Sequence, residues 1–159
     1  MAPDAFARFH QTPIATMRLV HYPSATDKSS DDQIGAGAHT DWGAITVLAQ
    51  DDAGGLQVRD PATDEWIDVP PVAGAFVVNI GDLLSRWTND RFRSTVHRVI
   101  PPVGRDRYSL VFFMDLDHHA TIEVLPACVP AGEQPRYGPT TAGEHLLMKF
   151  RESMPAMEA

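Results

Sequence analysis

Apolar residues in this chain come in short runs broken by turn residues, at the spacing of strands rather than long helices. Ile14–Tyr22 (IATMRLVHY) reads as a strand ended by Pro23, and Ser24–Gln33 (SATDKSSDDQ) as a polar loop. A second strand is predicted to start near His39 and run through Ala44–Ala49. Asp51–Gly55 and Asp60–Asp64 read as turns around a short strand, Leu56–Arg59. Trp66–Val69 and Ala75–Ile80 follow, the latter closed by Gly81–Asp82, and Leu83–Thr88 reads as a helical turn. Val96–Ile100 and Tyr108–Met114 flank a turn at Pro101–Asp106, and Thr121–Leu125 is a last, weak strand. A short helical turn is expected near the start of the chain, behind Asp4.

Only the final segment changes period. Thr141 and Glu144 have the spacing of a capping box, and Leu146, Leu147, Phe150 and Met154 then fall on one helical face. Seven or eight short strands followed by one amphipathic helix predict an all-β sandwich or jelly roll with a C-terminal helix.

Composition narrows the class without altering that picture. The 159 residues, 43% apolar and 21% charged, suit one domain with a real core. The 11 Gly and 13 Pro are dispersed as punctuation between the runs. A net charge of −8 argues against binding a phosphate backbone, so no nucleic-acid partner is expected. The lone Cys128 excludes an internal disulfide and a thiolate-only metal cage. No run approaches the roughly 18 apolar residues of a membrane span, and Met1–Met17 holds no apolar signal core. A soluble, cytoplasmic protein is the expectation.

Chemistry concentrates in three places. In Gly37-Ala-His39-Thr-Asp41-Trp, a strand beginning at His39 would put the His39 and Asp41 side chains on one face by the period of two. His97, in another predicted strand, can reach the same point from across a sandwich. Two histidines and one carboxylate on one face of a metal form the facial arrangement of non-haem Fe(II) oxygenases. Taken singly, the H-x-D pair also fits a strand-end hydrogen bond, and His97 a core histidine. Arg107 and Ser109 again share a face, and a guanidinium fork beside a hydroxyl suits a carboxylate. An arginine pointing into a sandwich needs an anionic partner; on the surface, an ion pair would suffice.

These stretches together resemble a family. Met17-Arg-Leu-Val-His-Tyr22-Pro, Gly37-Ala-His39-Thr-Asp41-Trp-Gly, Gly54-Gly-Leu-Gln-Val58, Phe76-Val-Val-Asn79-Ile-Gly-Asp82, Arg93-Ser-Thr-Val-His97-Arg-Val and Arg107-Tyr-Ser109 are similar to the iron(II)- and 2-oxoglutarate-dependent dioxygenases of the isopenicillin N synthase-like group. The similarity runs from about residue 14 to 152.

The resemblance implies a double-stranded β-helix over residues 14–127, preceded by a lead-in over 1–13 and followed by a loop and amphipathic helix over 128–159. It implies Fe(II) on His39, Asp41 and His97, and 2-oxoglutarate with its distal carboxylate on Arg107 and Ser109, the Tyr22 hydroxyl assisting. O2 and a small organic substrate would complete the reaction, giving succinate and CO2. Asp41, absent from related halogenases, favours hydroxylation, desaturation or ring closure. Some members apply the R-x-S pair to another carboxylate.

Family members are roughly twice as long, the extra part being an N-terminal region that braces the β-helix. That keeps open a truncated or silent member with an intact metal site, with a cupin-like metal protein as a third reading. A sheet face left bare would favour self-association. Asn79, Gly81 and Asp82 are assigned to a strand exit and tight turn, and His118–His119 to a solvated loop. Trp42, Leu56, Phe113 and Leu116 are candidates for either substrate contact or core.

Overall fold

The computed structural model describes residues 6–25 and 35–154. A 3-10 turn at Ala7–Phe9 opens them; Asp4 and most of the loop expected at Ser24–Gln33 lie outside the described residues. The strands are β1 (Pro13–Tyr22), β2 (Ala36–His39), β3 (Ile45–Gln50), β4 (Leu56–Arg59), β5 (Trp66–Asp68), β6 (Val77–Ile80), β7 (His97–Val99), β8 (Arg107–Asp117), β9 (Thr121–Ile122) and β10 (Thr140–Thr141). Helix α1 (Asp82–Trp87) follows β6, and α2 (Ala142–Ser153) comes last.

Two four-stranded antiparallel sheets, ordered β1-β8-β3-β6 and β2-β7-β4-β5, make a jelly roll, the double-stranded β-helix. Consecutive strands keep crossing between the two sheets, which is why the turns dominate the sequence. β9 and β10 pair separately beside α2.

Two expectations fail on the same physical point, that local period does not know which sheet a residue joins. The single strand predicted from His39 through Ala49 is two strands in different sheets: β2 ends at His39, β3 starts at Ile45, and Asp41 lies in the crossing between them. The α2 face carrying Leu146, Leu147, Phe150 and Met154 is not its buried face either. Leu146 is half-buried and the other three are exposed, and the helix buries Ala142, Gly143 and His145 instead. The capping box is as predicted, with the Glu144 N–H donating to Thr141 Oγ1 and the Thr141 N–H to the Glu144 carboxylate.

The core is split. Leu48, Leu56 and Val99 lie between the sheets. Leu83, Trp87, Leu116, Ile122 and Ala142 form a second cluster under α1, where Phe6 and Phe9 pack edge-on against Trp87. Each of the large aliphatic side chains in that second cluster contributes about 1.5–3 kcal/mol by burial. This cluster anchors α1, and α1 in turn fixes the crossing that carries Asp41.

Candidate metal centre and anion pocket

Between the two sheets runs a cavity of about 270 Å³ with walls from both. His39, Asp41 and His97 stand at one part of it and Arg107, Ser109 and Tyr22 at another. Valines and leucines, among them Val77, Val111 and Leu48, line the space between.

The histidine end is built by pairing. β2 and β7 set His39 directly opposite His97, and a bulge between Ala36 and His39 shifts the register so that both Ala36 and His39 face the cavity. Each ring donates its Nδ1–H to a main-chain carbonyl two residues earlier: His39 to Gly37 at 2.7 Å, His97 to Thr95 at 2.9 Å. Only a protonated Nδ1 can meet a carbonyl, so these bonds favour the tautomer that leaves the Nε2 lone pair free. The two Nε2 atoms lie 3.9 and 3.8 Å from Asp41 Oδ1. All three donor atoms fall within 4.8 Å of one another, an arrangement able to hold a metal ion.

Asp41 is nearly buried and oriented from behind. Its Oδ2 accepts from Thr46 Oγ1 at 2.6 Å and from Asn79 Nδ2 at 2.7 Å, which turns Oδ1 toward the histidines. Thr46 and Asn79 are register partners on β3 and β6. The crossing itself is clamped by α1: the Asp82 N–H donates to Asp41 O, and the Leu83 N–H to the carbonyls of Trp42 and Gly43. Gly81 must be glycine here, because a Cβ would sit 2.2 Å from Gly43 O.

From the other side α2 braces the same turn. His145 Nε2 donates to Trp42 O at 2.9 Å, and burial holds its imidazole below the usual histidine value. Lys149 pairs with Asp82, which also accepts from Thr40. Burial pushes the Asp82 carboxyl up, but its bonds to Lys149 and Thr40 with the lysine charge leave it below the ordinary carboxylate value.

The arginine end is the opposite case. Arg107 is 1% exposed and Ser109 3%, both pointing inward from β8. Arg107 Nε donates to Gly54 O at 2.8 Å and Nη2 to Gln50 Oε1 at 3.2 Å, while the Tyr22 ring lies 4.9 Å from the guanidinium carbon. Arg107 Nη1 and Ser109 Oγ are buried with no partner among the described residues. Among the described residues no carboxylate pairs with Arg107, and burial draws its pKa below the ordinary arginine value. A buried cation with an orphaned N–H beside an orphaned hydroxyl is costly unless an anion completes it. The donor set therefore fits a ligand carboxylate.

All six residues singled out from the sequence thus line one cavity. His39 and Asp41 converge there through the crossing, not through strand alternation. Of the substrate-or-core candidates, Leu56 and Phe113 line the cavity, whereas Leu116 packs under α1 and Trp42 packs near Phe150. His118 and His119 are exposed. Asn79 is more than a strand exit, since it bonds Asp41; Thr46, Gln50 and Arg18 also line or complete the site and were not foreseen. Alternation back from Tyr22 marks Arg18 as inward, but Thr46 and Asn79 needed the β3–β6 register.

Comparison with known proteins agrees with this geometry. The model of the 2OG-Fe(II) oxygenase superfamily matches residues 13–116. The 2-oxoglutarate-Fe(II) type oxidoreductase hxnY of Emericella nidulans is 47% identical over 148 residues, 92% of this chain and 42% of that protein. The 2-oxoglutarate-dependent dioxygenase citB of Monascus ruber is 50% identical over 116 residues, 71% of this chain and 35% of its own length. A full-length Neurospora crassa protein, solved in complex with alpha-KG, superposes with a TM-score of 0.87 at 37% identity, covering 95% of this chain and 48% of that one. The chain therefore spans less than half the length of each of these relatives.

Proposed function

The chain belongs to the 2OG-Fe(II) oxygenase superfamily, and from that premise we propose that it oxidises a small organic molecule with Fe(II), 2-oxoglutarate and O2. His39, Asp41 and His97 hold the iron; Arg107 and Ser109 take the distal carboxylate of 2-oxoglutarate, with Tyr22 against the guanidinium. The observation that carries this reading is the pairing, in one cavity, of three converging donors with an orphaned arginine N–H and serine hydroxyl. When bound, the iron and the 2-oxo acid supply the oxidising chemistry, with succinate and CO2 as by-products.

The chain's own residues do the positioning. Gly37 and Thr95 carbonyls keep both histidines in the metal-binding tautomer, and Thr46 and Asn79 keep the Asp41 carboxylate from swinging away. Gln50 and Gly54 hold the Arg107 fork through Nη2 and Nε, leaving Nη1 without a partner among the described residues, and aliphatic side chains line the cavity between the two ends. The Neurospora crassa structure with alpha-KG supports 2-oxoglutarate over another carboxylate at this arginine.

The reading extends to placement in the isopenicillin N synthase-like group, supported by the R-x-S pair and the motifs around His39 and His97. Asp41 supports hydroxylation, desaturation or ring closure. Residues 14–127 carry the oxygenase core in this reading, and 128–159 the bracing helix. The single Cys128, free of any disulfide, supports a cytoplasmic site of action; among the described residues no helix is long and apolar enough to cross a membrane.

The test is anaerobic addition of Fe(II) and 2-oxoglutarate. The chelate should give its visible charge-transfer band and raise the Tm, and air should then yield succinate. A silent member would bind both without producing succinate across a broad substrate panel. No band and no thermal shift would refute the assignment.

A further inference from the structure

The two sheets finish their outer faces differently. On the outside of the β2-β7-β4-β5 sheet, Arg98 Nε donates to Gln57 at 2.7 Å and Gln57 Nε2 to Asp68 at 2.9 Å, with the Arg98 guanidinium over the Trp66 ring. That row is a polar ladder suited to water. The outside of the β1-β8-β3-β6 sheet is apolar instead. Its inward positions, such as Val20, Ser109, Leu48 and Val77, line the cavity, so by the period of two the alternate positions face out. The register sets Met17, Phe112, Val47 and Val78 side by side in one outward row. Leu19, Leu110 and Ala49 form the row on one side of it, and Ala15, Met114, Ile45 and Ile80 the row on the other. None of these residues carries a polar side chain, and none is buried.

An antiparallel sheet whose outer face meets water alternates apolar and polar positions; here the outward positions are apolar in all four strands. Met17, Leu19, Val78 and Leu110, with Phe76 and Tyr108 at the rim, are 40% to 78% exposed. Large side chains present up to ~200 Å² each, so these six leave about 600 Å² bare. A stable interface takes about 800 Å² from each partner, and the less exposed members of the rows bring that area within reach.

The distribution of side-chain size says what covers the face. Met17, Phe112 and Leu110 are long or bulky and stand on β1 and β8; Val78, Val47 and Ala49 are short or β-branched and stand on β6 and β3. A two-fold axis running along the strands, between β8 and β3, lays each row on the same row of a second copy. Met17 of one copy then meets Val78 of the other, Phe112 meets Val47, Leu110 meets Ala49 and Ile80 meets Ala15. Each contact sets a larger side chain against a smaller one, within the roughly 30° at which sheets pack face to face. The face is thus complementary to itself, as a two-fold interface requires. With no charge in its three rows, it offers an acidic or basic partner nothing to pair with.

We propose that this face is a homodimer interface, in which two copies of the chain stack the outer sides of their β1-β8-β3-β6 sheets about that axis. The cavity lies on the other side of the sheet, so its lining residues take no part in the contact. The inference stands apart from the oxygenase reading and does not depend on it.

Sedimentation velocity of the chain, from low to high micromolar concentration, should show a dimer. M17E and V78K, each at an exposed position, should be monomeric over the same range. Their equimolar mixture should dimerise again, because the axis sets the introduced carboxylate of one against the introduced ammonium of the other. V78T keeps the shape and adds a hydroxyl. It should weaken the dimer about tenfold or more with the far-UV circular dichroism of the parent, and it carries the test where a charged variant fails to fold. A dimer indifferent to V78T and M17E, or charged variants that dissociate without re-forming on mixing, would each overturn the proposal. A monomer at every concentration would overturn it too, and binding of a hydrophobic dye by that monomer would assign the face to a different polypeptide.

Discussion

At the histidine end of the cavity, Thr46 and Asn79 hold Asp41 and two carbonyls hold the imidazoles; at the arginine end, Arg107 Nη1 and Ser109 Oγ are buried without partners among the described residues. Both ends are polar and both sit between the same two sheets. The histidine end has used its hydrogen bonds to aim lone pairs, so it is arranged before any ion arrives and reorganises little on binding. The arginine end has left donors open, so it carries a desolvated charge until an anion enters. Aimed acceptors suit a cation and unpaired donors an anion, and the two kinds of incompleteness support the two ligands proposed.

Loss of a metal-facing donor should disturb the histidine end most. His97→Ala should abolish iron retention, read by metal content after dialysis, because two donors no longer form a facial set. If iron stays bound with unchanged affinity, the cluster is not the metal centre. Arg107→Met comes next. It should weaken 2-oxoglutarate about a hundredfold while iron affinity holds, measured by titration of the visible band. The same variant should leave the ligand-free Tm unchanged or raised, since a buried unpaired charge has been replaced by an apolar chain of similar length. A large drop in ligand-free Tm would mean that Arg107 serves the fold more than a ligand.

Smaller effects sharpen the contrast. Thr46→Val and Asn79→Ala remove the bonds behind Asp41 and should each weaken metal binding about 10- to 100-fold, with 2-oxoglutarate affinity much less affected. Equal losses at both ends would mean the two are not separable.

The smallest effect lies in the brace. Burial keeps the His145 imidazole neutral, so the unfolded chain takes up a proton on acidification before the folded one does. Stability should be flat above pH 6.5, the ordinary histidine value, and fall as pH drops below it. His145→Gln should flatten that part of a Tm-against-pH series; an unchanged slope would remove His145 as the source.

Much of this was legible along the chain. The alternation in β8 put Arg107 and Ser109 on one face, and that face lines the cavity, because a long strand keeps one face for many residues; Tyr22 came from the resemblance. The capping box announced α2 for the same reason: it is a contact within four residues. What failed were features that depend on how the elements pack. The apolar stripe of α2 is mostly exposed, and the buried face consists of Ala142, Gly143 and His145, small or polar residues that periodicity would not select.

The residue types at the site and the shared face of Arg107 and Ser109 were already fixed along the chain, because side-chain chemistry and the period of a strand are local properties. It took the packed structure to show that His39 and Asp41 meet across a change of sheet, that Thr46 and Asn79 stand behind Asp41, and that among the described residues Arg107 is left without an acid. Those facts depend on the register and the bulge that join segments as much as 58 residues apart, as His39 and His97 are. Such pairings are set by which faces can be buried together, a property of the packed sheets and of no single stretch of chain.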